Sequence, residues 1–222
     1  MRPPDTLADR YLLSLLDQTV THALRQRRRD GAPQLLDFGC GDQPLRSTVL
    51  ELGYRYVPCD VAGEPELLAV EGQRLASTDA SFDAVLSTQV LEHVWDVNWY
   101  LAECRRVLRR GGFLVLSTHG SWPYHPHPGD FRRWTKVGLE REVADAGFRV
   151  VETKELLSAP GWVVQFAVLA IDRVLRPVPL LSPLRSLMAR CGNFLVRVVD
   201  LLSPDFFRAN NAAVYVVVAE PA

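Results

Sequence analysis

Leu35-Leu36-Asp37-Phe38-Gly39-Cys40-Gly41 is the stretch that decides the fold of this chain. It reads as a short apolar strand that passes through two glycines into a helix, and in open α/β sheets ligands bind beside such a loop. The two glycines allow the backbone to approach a ligand closely. Pro44 stands where a dinucleotide fingerprint has its third glycine, and Asp37 places a negative charge close to where pyrophosphate would lie. The loop therefore suits a ligand that carries an ammonium group better than a dinucleotide.

Strands and single helices alternate outward from this loop. Asp96 and Thr135 are expected to cap two of the helices, and Gly111-Gly112 is expected to end the first of these two. Because strand–helix–strand units connect parallel strands, the fold class is α/β with a mostly parallel sheet. Apolar runs predict strands at 34–38, 54–59, 82–86, 113–117 and 148–153, and a β-branched run predicts a closing strand at 212–219.

Length and composition are those of one globular domain, with 222 residues, 48% of them hydrophobic and 23% charged. The net charge of −1 supplies no basic field, so we expect no nucleic-acid partner. Four scattered cysteines without a Cys-x-x-Cys pair argue against a disulfide framework and a cysteine-rich zinc site. The longest apolar run, 162–171, is too short to span a bilayer and no apolar leader opens the chain, so we expect a cytoplasmic protein.

Five motifs in this order closely resemble those of the class I S-adenosylmethionine (SAM)-dependent methyltransferases, in particular the methyltransferase type 11-like domains. The resemblance covers residues 33–154 and implies a Rossmann-like sheet of seven strands flanked by helices, SAM as cofactor and methyl transfer as activity. The closing strand fits as the antiparallel seventh. The motifs are Leu35–Gly41, Asp60, Phe82–Ser87, Val90–Val94 and Arg106–Gly112.

This resemblance divides the single domain 1–222 into four parts. An N-terminal helix occupies 1–32, the cofactor-binding core 33–155, an apolar helical insertion 156–211 and the closing strand 212–219.

The resemblance also implies which residues hold SAM. Asp37 and the loop Phe38, Gly39, Cys40 and Gly41 would hold the methionine part, and Asp60, at the end of the second strand, would bind the ribose. The remaining cofactor residues would be Glu71 and Gly72 beside the adenine, where Asp is commoner than Glu, and Ser87, Thr88 and Gln89 on the methionine side.

A loop rich in histidine and proline follows the 113–117 strand and resembles the region that closes over SAM and acceptor in many methyltransferases. An alcohol acceptor must lose its proton, and a neutral imidazole is suited to take it near pH 7. The candidate bases are His119, His125 and His127, with Asp130 as an orienting group, whereas His93 is expected to be structural. Acceptor contacts are expected from Tyr124, Trp134 and the cations Arg132 and Arg133, which could hold a carboxylate or phosphate.

Two other interpretations of this loop stay open. His125, His127 and Asp130 could bind a metal ion, but alternate residues flanked by prolines seldom converge, so we predict no metal. The same side chains could instead only satisfy loop carbonyl groups.

The insertion 156–211 is apolar and carries a net charge of 6 − 3 = +3 from its six arginines and three aspartates. Three interpretations compete: a helical cap over an apolar acceptor, a dimer surface, or a basic amphipathic anchor on anionic lipid. The cap ranks first, with Trp162 and Phe166 as acceptor-binding residues.

The predicted function is methyl transfer from SAM to a small-molecule acceptor, most simply to an oxygen of a sugar, a lipid-linked compound or an apolar metabolite. Alternatives are N- or C-methylation on the same fold, or a SAM-binding interaction protein without catalysis. A homodimer and a peripheral membrane contact are both compatible with the sequence.

Overall fold

Helices and strands alternate in the computed structural model, which describes residues 7–126 and 129–222, without the side chains of Leu7 and Asn210. Short 3₁₀ turns occur at Leu7–Asp9, Leu91–His93 and Pro179–Leu181. The helices are α1 Arg10–Arg27, α2 Arg46–Glu51, α3 Val97–Val107, α4 Lys136–Asp145, α5 Ala159–Leu175, α6 Ser182–Leu202 and α7 Asp205–Asn210. The strands are β1 Gln34–Phe38, β2 Arg55–Asp60, β3 Leu67–Leu68, β4 Phe82–Thr88, β5 Leu108–His119, β6 Phe148–Leu156 and β7 Val214–Pro221.

The seven strands form one sheet in the order β3-β2-β1-β4-β5-β7-β6. All neighbours pair in parallel except β7, which runs antiparallel to both β5 and β6. This confirms the predicted mostly parallel sheet with an antiparallel closing strand. The strand order reverses direction at β1, between β2 and β4, and ligands of open α/β sheets bind at such a switch point.

Helices cover both faces of the sheet. Adjacent strand residues such as Leu35 and Leu36 enter opposite clusters, because successive side chains of a strand point to opposite faces. One cluster packs the sheet against α3 and α4, and the other packs it against α1, α2 and α6. Burial on both faces accounts for the continuous apolar runs of the strands.

The end of α3 differs from the prediction. The helix ends at Val107, and Gly111 and Gly112 lie inside β5, where the pairing of β5 with β4 is irregular. A Cβ atom on Gly112 would lie 2.9 Å from the carbonyl oxygen of Asp83, so glycine is required by the neighbouring strand and not by a helix end. Asp96 and Thr135 do cap α3 and α4, accepting hydrogen bonds from the Trp99 and Gly138 amides.

The insertion 156–211 is helical, as expected, and its long helices α5 and α6 run antiparallel. Gly192 lies against Val168, so the two helices approach closely at a glycine. Asp200 of α6 accepts hydrogen bonds from the Tyr11 hydroxyl (2.9 Å) and the Ser158 amide (2.7 Å), which joins the hairpin to α1 and to the end of β6. Within the described ranges, no helix combines the length and apolarity needed to cross a bilayer.

Candidate active site

The loop after β1 is shaped by its glycines. Gly39 has φ +86°, and a Cβ atom there would lie 2.4 Å from a methyl group of Val90, so no other residue fits without a shift. Its amide donates to the carbonyl of Cys59 (2.7 Å), and the Gly41 amide donates to Oδ2 of Asp60 (2.7 Å). The loop therefore folds back over the end of β2 and brings its backbone next to the Asp60 carboxylate.

Two carboxylates lie at this edge of the sheet. Asp37 is buried, its Oδ2 accepts a hydrogen bond from the Tyr56 hydroxyl (2.6 Å), and its Oδ1 has no partner among the described residues. Burial raises the pKa of Asp37 to about 7, against the opposing effect of the Tyr56 hydrogen bond. Asp60 is more accessible, and its second oxygen accepts from the Val61 amide (2.7 Å).

These features fit the cofactor that the sequence resemblance implies. The unpartnered Oδ1 of Asp37 can accept a hydrogen bond from the ammonium group of SAM, and a buried carboxylate favours a cation beside it. Asp60 lies at the end of β2, where its carboxylate oxygens, which accept from the Gly41 and Val61 amides, can accept hydrogen bonds from ribose hydroxyls.

The predicted adenine side is less sharply defined. Glu71 is exposed and accepts a hydrogen bond from the Asp96 amide at the start of α3, so it holds that helix end. Gly72 has φ +79° in an exposed turn. Trp99 donates to the Gln73 carbonyl (2.8 Å) and lies edge-on to Phe38 with ring centroids 6.1 Å apart. An aromatic side chain therefore flanks the glycine loop on this side, and sequence reasoning did not single it out.

The residues at the end of β4 mainly hold the strand in place. Ser87 is fully buried and lies 2.8 Å from the hydroxyl of Tyr100. Gln89 has φ +56° and donates from its amide to the Ser117 carbonyl (3.0 Å), which ties it to β5. Thr88 is half-buried between them.

A carboxylate and three imidazoles converge beyond the ends of β4 and β5. Glu92, in the 3₁₀ turn after β4, is fully buried, and its Oε1 lies 3.3 Å from Nε2 of His119 and 4.0 Å from Nε2 of His93. The His125 ring centroid lies 4.9 Å from that of His119 and 5.0 Å from that of His93. The other oxygen of Glu92 accepts from the Thr118 hydroxyl (2.8 Å). The structure thus brings together two of the predicted bases and adds Glu92, whose only sequence signal was the motif Val90–Val94 that contains it.

Burial dominates the electrostatics of this cluster. It raises the pKa of Glu92 to about 7, and it lowers the pKa of His119 well below its usual value, with the nearby His125 adding to the effect. Oε1 of Glu92 and Nδ1 of His119 are buried and make no hydrogen bond within the described part of the chain. Because buried polar atoms are normally satisfied, both atoms are suited to receive a ligand.

Asp130 and Arg133 form an ion pair that holds the histidine loop in shape. Both oxygens of Asp130 accept from the Arg133 guanidinium, and Oδ2 also accepts from the His125 amide (2.8 Å). Burial raises the pKa of Asp130, but the hydrogen bonds from Arg133 and His125 outweigh it and hold that pKa at about 2. Oδ2 lies 3.4 Å from Nδ1 of His125, so Asp130 contacts the imidazole that it was predicted to orient.

The predicted acceptor contacts of this loop are placed unequally. Arg133 also donates to the carbonyls of Trp122 and Pro123, so its guanidinium is engaged inside the loop. Arg132 donates to the Val94 carbonyl (2.7 Å). Trp134 is buried in the core and donates to Glu142, whereas Tyr124 is exposed. His127 lies outside the described residues.

An aromatic row connects the histidine cluster with α5. The rings of His119 and Trp122 stack in parallel with centroids 5.0 Å apart. Phe166 packs edge-on against Trp122 at 5.6 Å and tilts against Trp162 at 5.1 Å. Trp162 and Phe166, the two residues predicted to cap the acceptor, therefore continue the aromatic row that begins at His119.

Comparison with known proteins agrees with this cofactor edge. A sequence profile described as a methyltransferase domain matches residues 36–116. That segment contains the glycine loop, Asp60 and Glu92, and it ends before the histidine loop and the helical insertion. The matched part thus contains the candidate cofactor edge.

Individual relatives are methyltransferases by name. A probable S-adenosylmethionine-dependent methyltransferase of Mycolicibacterium smegmatis is 28% identical over 154 residues, which cover 62% of this chain and 60% of the relative. A ubiquinone biosynthesis O-methyltransferase of Rhizobium rhizogenes is 32% identical over 100 residues, 38% of this chain and 40% of the relative. The chain therefore spans three fifths or less of the length of these curated relatives.

A solved structure shares the fold. The 1,6-didemethyltoxoflavin-N1-methyltransferase of Burkholderia thailandensis, crystallised with 1,6-didemethyltoxoflavin and S-adenosylhomocysteine, superposes with a TM-score of 0.56 at 17% identity. The superposition covers 93% of this chain and 77% of that protein.

Proposed function

Because this chain belongs to the class I SAM-dependent methyltransferase family, we propose that it transfers the methyl group of SAM to an oxygen of a small-molecule acceptor. The observation that carries the proposal is the pairing of a SAM-type edge, Asp37 to Asp60, with the buried Glu92–His119 contact one strand away. The similarity to an O-methyltransferase supports oxygen as the accepting atom.

The cofactor edge would position the reagent. SAM supplies a methyl group bound to a positively charged sulfur. Asp37 would hold the ammonium of the methionine part and Asp60 would hold the ribose hydroxyls, while hydrogen bonds to Cys59 and Asp60 keep the loop at Gly39 and Gly41 against the end of β2. Methyl transfer requires nucleophile, methyl carbon and sulfur in line, so most of the catalysis expected from this chain is positional.

The histidine cluster would act on the acceptor. With Nε2 of His119 facing Glu92, the imidazole keeps a lone pair on Nδ1, and Nδ1 has no partner among the residues described. A base with one nitrogen oriented by a carboxylate and a free lone pair on the other can accept the acceptor's hydroxyl proton. His125 lies against the His119 ring and would line the same space, together with Trp122.

The insertion would select the acceptor class. Trp162 and Phe166 extend the site as an apolar aromatic wall, which suits an apolar or lipid-linked acceptor better than a strongly charged one. The same hairpin exposes several leucines, Phe194 and arginines, and we infer that it rests on an anionic membrane surface. An acceptor drawn from the bilayer would then enter beside α5.

Turnover and cofactor binding test this proposal separately. Calorimetry should show that Asp60→Ala weakens SAM binding by about 10- to 100-fold, because one charge-assisted hydrogen-bonding group is lost. Asp42→Ala removes an exposed acid of the loop after β1, and this matched control should bind SAM normally.

Formation of S-adenosylhomocysteine with a panel of hydroxyl acceptors then tests the chemistry. His119→Ala should lower turnover by about 10²- to 10⁴-fold with SAM affinity retained, whereas His22→Ala, on the exposed side of α1, should be neutral. SAM binding without turnover of any acceptor would indicate a SAM-binding interaction protein and not an enzyme. Methylation confined to nitrogen acceptors would show that the chain is an N-methyltransferase and would contradict oxygen as the accepting atom.

A further inference from the structure

The histidine cluster contains a set of metal-ligand atoms that its role as a base does not require. One nitrogen or carboxylate oxygen from each of Glu92, His119 and His125 lies within 4.8 Å of the other two. These residues come from three separate elements: the turn after β4, the end of β5 and the loop beyond it. Their convergence is a product of the tertiary fold.

The distances are close to those of a coordinated ion. Ligand atoms that bind Zn²⁺ at about 2.0–2.1 Å in a tetrahedron are about 3.3 Å apart. Glu92 and His119 already show 3.3 Å between Oε1 and Nε2. His125 supplies a ligand atom within 4.8 Å of both, and it is only partly buried on a loop.

The surroundings leave the donor atoms available. Oε1 of Glu92 is buried and makes no hydrogen bond in the described part of the chain, and a buried carboxylate without a partner is costly. By contrast, Asp130 is engaged with both Arg133 and the His125 amide, so the set of His125, His127 and Asp130 considered from sequence is not the favoured one.

We propose that Glu92, His119 and His125 bind a divalent transition-metal cation of the Zn²⁺ type. Two imidazoles and one carboxylate suit such ions better than Mg²⁺ or Ca²⁺, which prefer oxygen ligands. Three protein ligands leave a coordination position open. A hydroxyl bound there would lose its proton more readily.

Binding, measured without turnover, tests this site. We expect Cys191→Ser protein, which lacks the exposed thiol, to bind one equivalent of Zn²⁺ in calorimetry and one of Co²⁺ in electronic absorption without thiolate bands. Glu92→Gln and His125→Ala, each in that background, should weaken binding by more than about 100-fold, because even outer-shell partners of a metal contribute 10- to 100-fold. His22→Ala is the control and should bind like the parent.

The outcomes separate this proposal from the methyltransferase proposal. SAM calorimetry on the same variants reports whether the fold and the cofactor edge are intact, so lost metal binding with normal SAM binding supports the metal site. Metal binding that is absent in the parent, or equal in the parent and both ligand variants, overturns it. Metal binding by a chain that does not bind SAM would leave the metal site standing and remove the proposed function.

Discussion

At the scale of single residues, Asp37 and Glu92 share one design. Each is a buried acid beyond or near the carboxyl end of a central strand, with one oxygen held by a hydroxyl and the other without a partner among the described residues. Burial raises the pKa of both to about 7. A buried carboxylate of this kind destabilises the folded chain unless it is protonated or paired with a cation. A cationic ligand that pairs with it therefore gains affinity.

This gives a pH dependence of SAM affinity that belongs to Asp37. With a pKa of about 7, Asp37 is largely protonated at pH 6 and must release its proton before it can face an ammonium group. The dissociation constant measured by calorimetry should therefore decrease from pH 6 to pH 7.5, by up to about tenfold per pH unit below the pKa.

The variant Asp37→Asn is the control for this prediction. It removes the titrating group while keeping the shape, so its SAM affinity should be weaker and nearly independent of pH over the same range. An equally steep pH dependence in Asp37→Asn would assign the effect to another group.

At the scale of elements, the histidine loop is a closed unit attached to the sheet at both ends. The Trp134 amide donates to the His119 carbonyl (3.1 Å), and the Phe131 amide donates to the Glu92 carbonyl (2.8 Å). The Asp130–Arg133 ion pair then fixes the turn from inside. Trp122 packs against Phe166 of α5, so loop and insertion would form one wall of the proposed acceptor site.

Truncation of this wall should affect the acceptor and not the cofactor. Phe166→Ala removes the ring that packs on Trp122, and we expect the KM for an apolar acceptor to rise by about 10-fold or more, since burial of an aromatic side chain contributes 1.5–3 kcal/mol. SAM affinity should stay within twofold, because Phe166 lies on the histidine side of the molecule.

Val163 offers the matched control, since it is on the same helix and exposed. Val163→Ala should leave both constants unchanged. If Phe166→Ala and Val163→Ala have the same acceptor kinetics, α5 does not cap the acceptor and serves only to pack the sheet.

At the scale of the whole molecule, the exposed apolar residues are concentrated on the hairpin of α5 and α6. Leu180 at its tip is 88% exposed, and Phe194 and Leu202 on α6 are 70% and 79% exposed. Arg173, Arg190 and Arg197 are also exposed on these two helices. A surface that combines apolar side chains with cations suits anionic lipid, since apolar burial and charge attraction act together.

Vesicle sedimentation tests this surface. The protein should co-sediment with phosphatidylserine-containing vesicles at low salt and dissociate as salt rises, because charges are screened beyond about 10 Å at 0.1 M salt. Phe194→Asp should abolish the binding, and Val137→Asp, at an exposed valine of α4, should not. A chain of doubled mass that ignores vesicles and becomes monomeric with Phe194→Asp would show a dimer surface instead.

The order of elements, the glycine loop and the two helix caps follow from the sequence alone, because periodicity, Gly39 and the capping side chains of Asp96 and Thr135 act within a few residues of themselves. The positions of Asp37 in β1 and of Asp60 at the end of β2 follow for the same reason, whereas their roles toward SAM stay predictions. The end of α3 could not be predicted from the sequence, since Gly112 is required by its contact with Asp83 of the neighbouring strand and not by a helix end.

The tertiary structure alone decided the contacts of the histidine cluster and of the loop beyond it. Glu92, after β4, contacts His119 at the end of the neighbouring strand β5. Arg133 pairs with Asp130, and Trp134 packs in the core. Each outcome depends on which groups from distant parts of the chain compete for the same donor, acceptor or cavity. Residue types and spacing specify the candidates for such contacts, but burial and long-range pairing select among them.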